Sequence, residues 1–195
     1  MKNLQLSVLA LMLVSFTAKM NAQAATADTK TDNHTVSITI PEVAILDIEP
    51  SDNKNINMKF TAPTEAGEKL IAPDPNKNLW LNYSSIKTAD GADVSRNVSV
   101  KLNSAVPGID IKVTAAAYSG GGAGTFGTPT QTVTLTTNDQ NILTGIGSAY
   151  TGNGISNGHN LSYDIAVGGT TGTMYSSITA NPNASAIVTY TISDN

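Results

Sequence analysis

The chain is built from short stretches in which apolar and polar side chains alternate. The last stretch, ASAIVTYTISDN, places Val188, Tyr190 and Ile192 on one side and hydroxyl-bearing residues between them. Successive side chains of a strand point to opposite faces, so this pattern predicts a strand with one face on a core. Such a strand needs a sheet beside it and a second layer over it.

The same alternation recurs along the chain. Further positions predicted to be buried are Val98, Val100, Leu102, Ile109, Ile111, Val113, Leu161, Tyr163 and Ile165. Turn-forming residues separate the stretches, and no segment after residue 24 keeps a 3.6-residue period. We therefore predict one all-β domain over residues 35–195, an immunoglobulin-like Greek-key β-sandwich of about eight to ten strands, with a jelly roll as the alternative.

Several predicted strands carry more specific expectations. The apolar run at 43–48 is typical of a strand covered on both faces, and 56–60 (INMKF) alternates. In 79–86, Trp80 and Tyr83 are expected to fill the core. The strands at 98–102 and 109–114, joined by a short turn, predict an antiparallel hairpin.

The N-terminus predicts export. Residues 4–16 form an apolar run too short for a comfortable membrane span, and Ala22-Gln23-Ala24 offers the small residues that signal peptidase accepts. We predict a signal peptide at 1–24, a disordered polar leader at 25–34, and a location in the periplasm, at the cell surface or outside the cell.

Composition narrows the function classes. Removing residues 1–24 takes Lys2 and Lys19, so the formal net charge of −4 becomes −6, which favours neither nucleic acid nor an anionic membrane as a partner. The absence of cysteine excludes disulfides and thiolate chemistry. No Lys or Arg follows Lys112 in the sequence. The C-terminal part of the chain is instead built from Thr, Ser, Asn and Gly, and such a composition is unusual for an enzyme.

No motif predicts catalysis, a metal or a cofactor. The glycines at 122, 124 and 127 match a dinucleotide pattern, but a β-type segment follows where that pattern needs a helix. His34 and His159 lie in polar surroundings without visible partners, and we expect both to be solvated. We therefore predict a non-enzyme without cofactor or metal site.

Three aromatic residues flank the glycine-rich stretches. Tyr118, Phe126 and Tyr150 are the candidates for a ligand-binding loop, because loops carry function and aromatic rings stack on sugars. This predicts the alternative function, a secreted carbohydrate-binding module with a glycan as its partner.

The two ends of the chain resemble chaperone–usher-type fimbrial (pilin-like) subunits. The similarity lies in Val36-x-Ile38-x-Ile40 near the N-terminus and the closing Val188-x-Tyr190-x-Ile192. The chain lacks the cysteine pair of many such subunits. Segments 78–86, 112–129 and 158–167 also resemble exported Gram-negative β-sandwich proteins of no assigned function.

The fimbrial resemblance implies a structural or adhesive surface subunit that assembles by strand exchange. Its partners would be further copies, related surface subunits and a periplasmic chaperone, and its partner-binding residues Val36, Ile38, Ile40, Val188, Tyr190 and Ile192. From the residues alone, 35–40 is either an ordinary strand of its own domain, the favoured interpretation, or a donor strand entering a neighbouring copy beside the last strand.

Overall fold

A computed structural model describes residues 30–88, 94–168 and 175–195. The chain divides into two compact units, Met1–Thr39 and Ile40–Asn195. In the first unit the described residues form no strand. The predicted signal peptide at 1–24 lies outside the described residues.

The second unit is all-β. Its described residues form eleven strands, several of them only two residues long: β1 (Val43–Glu49), β2 (Asn76–Ile86), β3 (Arg96–Leu102), β4 (Ile109–Ala115), β5 (Ala123–Gly124), β6 (Thr128–Pro129), β7 (Val133–Thr134), β8 (Gln140–Ile146), β9 (Ala149–Tyr150), β10 (His159–Val167) and β11 (Val188–Asp194). A short 3₁₀ helix spans Tyr175–Ser177.

The strands form two antiparallel sheets. The seven-stranded sheet has the order β5-β9-β2-β10-β4-β7, and β1, which lies outside this order, also pairs with β2. The four-stranded sheet has the order β11-β3-β8-β6. The inner faces of the two sheets pack on one core, so the predicted β-sandwich is confirmed.

The core comes from alternate positions of strands in both sheets. Leu81 and Leu161 of the larger sheet and Val100 and Leu143 of the smaller one are fully buried. Burying each such side chain contributes about 1.5–3 kcal/mol, which makes this layer the main source of stability.

The predicted core residues are of two kinds. Seven are buried: Val98, Val100, Leu102, Val113, Leu161, Tyr163 and Ile165. The other five are partly buried: Ile109, Ile111, Val188, Tyr190 and Ile192. Three of these five lie on β11, which is partly buried because it forms the edge of its sheet.

Three strand predictions are wrong. The segments at 98–102 and 109–114 form no hairpin, because β3 and β4 belong to different sheets. β1 is an edge strand, and Ile45 is 63% exposed rather than covered on both faces. Residues 56–60 alternate in burial but pair with no strand among the described residues, which shows that alternation reports the buried face and not hydrogen bonding.

The prediction for Trp80 is also wrong, whereas that for Tyr83 is confirmed. Tyr83 is buried between the sheets, in phase with Leu79 and Leu81. Trp80 points to the opposite face of β2 and is partly buried there, because neighbouring side chains of a strand alternate.

Candidate functional site

The last strand lies at an open edge of the four-stranded sheet. β11 pairs with β3 along seven residues without a register shift, and no strand pairs with its other edge in the part of the chain that is described. Val188, Tyr190 and Ile192 face the core and pack against it while remaining partly exposed. This edge therefore offers free main-chain groups beside a row of apolar side chains.

Tyr190 also links the two sheets. Its hydroxyl lies 2.6 Å from the hydroxyl of Tyr163 on β10, which belongs to the other sheet. Burial raises the pKa of Tyr163 to about 12 and raises the pKa of Tyr190 well above its ordinary value. Both rings therefore stay protonated and share this hydrogen bond at neutral pH.

Residues 35–40 belong to neither sheet, so the favoured prediction that they pair within their own domain is wrong. Val36, Ile38 and Ile40 are 70%, 79% and 73% exposed. This alternating row of apolar side chains is exposed to solvent instead of being packed against another surface. Its partner-binding role stays a prediction.

The three loop aromatics separate into a packed pair and one exposed ring. Tyr118 and Phe126 stack with ring centres 3.4 Å apart and both are partly buried. The Tyr118 hydroxyl accepts a bond from the Gly122 amide at 2.5 Å and donates to the Thr151 carbonyl at 3.3 Å. Tyr150, at 54% exposure, is the ring of this set that is free to stack on a ligand.

The glycine-rich segment serves packing. A Cβ at Gly122 would overlap the carbonyl oxygen of Tyr150, and one at Gly124 would overlap that of Ser148. Gly124 also has φ +116°, which residues with a side chain rarely adopt. These glycines allow β5 to approach β9, and they lie between short strands rather than before a helix.

His159 is fully buried, so the prediction that it is solvated is wrong; His34 is exposed. The Nδ1 atom of His159 lies 2.8 Å from the Ala116 carbonyl oxygen and carries the proton, because a carbonyl oxygen can only accept a hydrogen bond. The Nε2 atom therefore accepts a hydrogen bond from the Tyr83 hydroxyl at 3.3 Å. Tyr83 in turn accepts from the Gly127 amide at 3.0 Å. Burial lowers the pKa of His159, and the ring is neutral.

Arg96 is a second polar residue whose burial was not predicted from the sequence. It is fully buried on β3. Its guanidinium donates to five acceptors: the carboxylates of Glu42 and Asp194, the carbonyls of Val43 and Ile86, and the Ser85 hydroxyl. These acceptors lie on or beside β1, β2 and β11, so one side chain joins the two sheets.

The outer face of the seven-stranded sheet carries a shallow trough. Ile45 on β1 and Tyr150 on β9 both lie opposite Ser84 of β2, so two large side chains flank a small one on one face. Next along the trough, Asp47 lies opposite Asn82. We call these five residues the outer trough.

Two cavities meet in the outer trough and share Ile45, Ser84 and Tyr150. One, of about 280 Å³, extends past Asp47 and Asn82 to Asn153. The other, of about 580 Å³, is apolar and extends towards Val43 and Ile86. One end of the trough is therefore polar and the other apolar.

The polar end holds charged and hydrogen-bonding groups. Asp47 accepts a hydrogen bond from Lys54 at 2.5 Å, which holds the pKa of the Asp47 carboxyl below its ordinary value. Asn82 is buried and donates from Nδ2 to the Asn157 carbonyl at 2.6 Å. Its Oδ1 is buried without a hydrogen-bond partner among the described residues.

The described residues contain neither a metal-binding cluster nor a membrane-spanning helix. No group of three or more His, Asp or Glu side chains is placed to hold a metal ion within 30–88, 94–168 and 175–195. In the same ranges no helix has the length and apolar character needed to cross a membrane.

Comparison with known proteins gives no relative. No family model matches the chain, and no similar curated protein or solved structure was found.

Proposed function

We propose that this chain is a non-catalytic, exported surface subunit that assembles by strand exchange. Residues 35–40 of one copy would add to the free edge of β11 in another. One observation carries the proposal: among the described residues, an exposed apolar row outside both sheets coexists with a sheet edge that no strand pairs with and whose own apolar row is partly exposed.

The two rows are complementary in spacing. Alternate residues of a strand are about 6.6–6.8 Å apart, so Val36, Ile38 and Ile40 match the repeat of Val188, Tyr190 and Ile192. Burying three such side chains contributes about 1.5–3 kcal/mol each, and ladder bonds add to it. Together these terms oppose the cost of ordering the segment, about 1–2 kcal/mol per residue.

The edge of β11 lacks three of the usual protections against pairing. Its sequence VTYTISD contains no lysine and no proline, and no bulge interrupts its register with β3. Natural sheets protect exposed edges with such features, so their absence favours an edge that receives a partner. A periplasmic chaperone would be the transient occupant of this edge before assembly.

Two matched variants test the donor segment in the exported protein. Ile38→Asp places a charge on the apolar row, whereas Ser37→Asp places the same charge on the alternate face. We expect Ile38→Asp to abolish the ladder of polymers on unboiled gels and Ser37→Asp to keep it. Equal ladders in the two variants would rule out a donor role for the apolar row.

A deletion tests the acceptor edge. Without residues 25–40 the protein should remain a folded monomer that binds a peptide of residues 33–41, measured by fluorescence anisotropy. Failure of the folded deletion variant to bind the peptide, or unfolding that the peptide does not rescue, would contradict the proposal.

A further inference from the structure

We propose that the outer trough binds a neutral carbohydrate, with a sugar ring stacked on Tyr150 and hydroxyl groups bonded at the Asp47 end. This site goes beyond assembly, because it lies on the outer face of the seven-stranded sheet and β11 is the edge of the other sheet. The two functions can therefore fail independently.

The trough has the form of a sugar site. Tyr150 is 54% exposed and lies across a serine from Ile45, so a flat ring placed over Ser84 would contact a large side chain on each side. The stretch from Val43 to Asp47 is roughly 13 Å long, enough for a short oligosaccharide rather than a single small ion. Such a mixed apolar and polar lining is typical of ligand sites.

The polar end can satisfy hydroxyl groups. Asp47 provides acceptor oxygens and the neighbouring Lys54 ammonium provides donors, and both are partly exposed. Asn82 lines the same cavity, and its buried Oδ1 has no hydrogen-bond partner among the described residues, which is rare because it is costly.

The charges select a neutral sugar. Asp47 and Lys54 form an ion pair 2.5 Å apart, so they leave little net charge at the trough. The whole chain carries a formal net charge of −4, which disfavours acidic polysaccharides. We therefore expect neutral hexose oligomers to bind and uronic-acid oligomers not to bind.

Calorimetric titration of the exported protein with cellotetraose, laminaritetraose and maltotetraose, and with tetragalacturonic acid for comparison, tests the site. We expect at least one neutral tetrasaccharide to bind. Tyr150→Ala should then weaken binding at least about tenfold, while Tyr150→Phe keeps the ring and stays within about threefold. Asp47→Asn should weaken binding several-fold.

The matched control is Tyr175→Ala, which removes an exposed tyrosine of the 3₁₀ helix and should leave binding unchanged. Polymer ladders should be unchanged in Tyr150→Ala. Absence of binding to all three neutral sugars, or equal loss in the two alanine variants, would overturn the proposal. If the protein binds the 33–41 peptide and Tyr150→Ala loses that binding, the outer trough is instead a site for another copy of the chain. That result would also overturn the carbohydrate proposal.

Discussion

Two fully buried polar side chains, Arg96 and His159, tie separate parts of the sandwich together. Arg96 joins strands of both sheets, and His159 connects β10 to the Ala116 carbonyl and to Tyr83. Burying a polar group costs free energy unless it is hydrogen-bonded, and the Arg96 guanidinium and the His159 ring both have partners. Both residues should therefore be sensitive to substitution.

Arg96→Ala should lower the free energy of unfolding by about 2–4 kcal/mol, because it leaves the Ser85 hydroxyl and the Val43 and Ile86 carbonyls without their donor, whereas the half-exposed carboxylates of Glu42 and Asp194 regain water. Urea denaturation of the protein measures this. The matched control is Lys101→Ala, which breaks a surface pair with Asp139 and should cost about 1 kcal/mol or less. Comparable losses in the two variants would contradict the role given to Arg96.

His159 should make stability fall in acid. An unfolded histidine titrates near pH 6.5, and burial lowers the folded pKa of His159, so between these values the unfolded chain binds a proton that the folded domain does not. The free energy of unfolding should therefore drop as pH falls below about 6.5, by at most about 1.4 kcal/mol per pH unit.

His159→Gln should flatten the pH dependence of stability between neutral pH and the lowered pKa, because glutamine does not titrate. His34→Gln, which changes an exposed ring, is the matched control. Denaturant midpoints at a series of pH values measure both. A parent slope that persists in His159→Gln would show that other groups cause it.

At the scale of elements, the buried face of a strand could be predicted from the sequence, whereas the strands that pair with it could not. Alternation identified β3, β4, β10 and β11, because a buried face leaves a period of two in the sequence. Pairing depends on contacts between distant segments, which local patterns do not encode, so the β3–β4 hairpin was predicted wrongly.

The alternation of buried and exposed positions also contained a signal that Arg96 and His159 are buried. Arg96 precedes Val98 and Val100 by two and four residues, and His159 stands in the same relation to Leu161 and Tyr163. A polar residue in phase with core positions is expected to point inward with its partners. Its partners could not be predicted, since they come from other strands.

The tyrosine pair between β10 and β11 should be strongly coupled. Tyr190→Phe leaves the buried Tyr163 hydroxyl without its partner and should cost about 1–3 kcal/mol of unfolding free energy. Replacing both tyrosines removes the unsatisfied group, so the double variant should cost less than the sum of the single ones. Additive costs in urea denaturation would contradict a direct bond between the sheets.

The tyrosine pair should also weaken the fold in alkali. An unfolded tyrosine ionises near pH 10, whereas the folded pKa of Tyr163 is about 12. Above pH 10 the unfolded chain loses a proton that the folded domain keeps, so stability present below pH 10 should fall as pH rises towards 12. The Tyr163→Phe/Tyr190→Phe variant should show a shallower fall in denaturant midpoint over that range.

At the scale of the whole molecule, the described part of the chain contains a sandwich edge that no strand pairs with and an alternating segment that joins neither sheet. Composition and alternation predicted an all-β domain, and the structure confirms it. The open edge of β11 could not be predicted, because a strand lies at an edge when no other strand pairs with one of its sides, and its own residues do not encode that. The exposed row at 35–40 is the counterpart that the strand-exchange proposal assigns to that edge.

Disulfide trapping between two copies tests strand exchange most directly, because the chain has no cysteine of its own. One copy carries Ser37→Cys and the other Thr191→Cys, both on faces turned away from the apolar rows. We expect a disulfide-linked dimer, since adjacent strands bring facing Cβ atoms to about 4.5–5.5 Å and a small shift closes the bond.

The matched control pairs Ser37→Cys with Ser99→Cys, because Ser99 lies opposite Thr191 on β3, one strand farther from the proposed donor. That pair would be about 10 Å apart and should not cross-link. Thr39→Cys and Thr189→Cys cover the alternative registers. Cross-linking through β11 and not through β3 is the predicted result; no dimer in any register, or equal yields with β11 and β3, would contradict assembly by strand exchange.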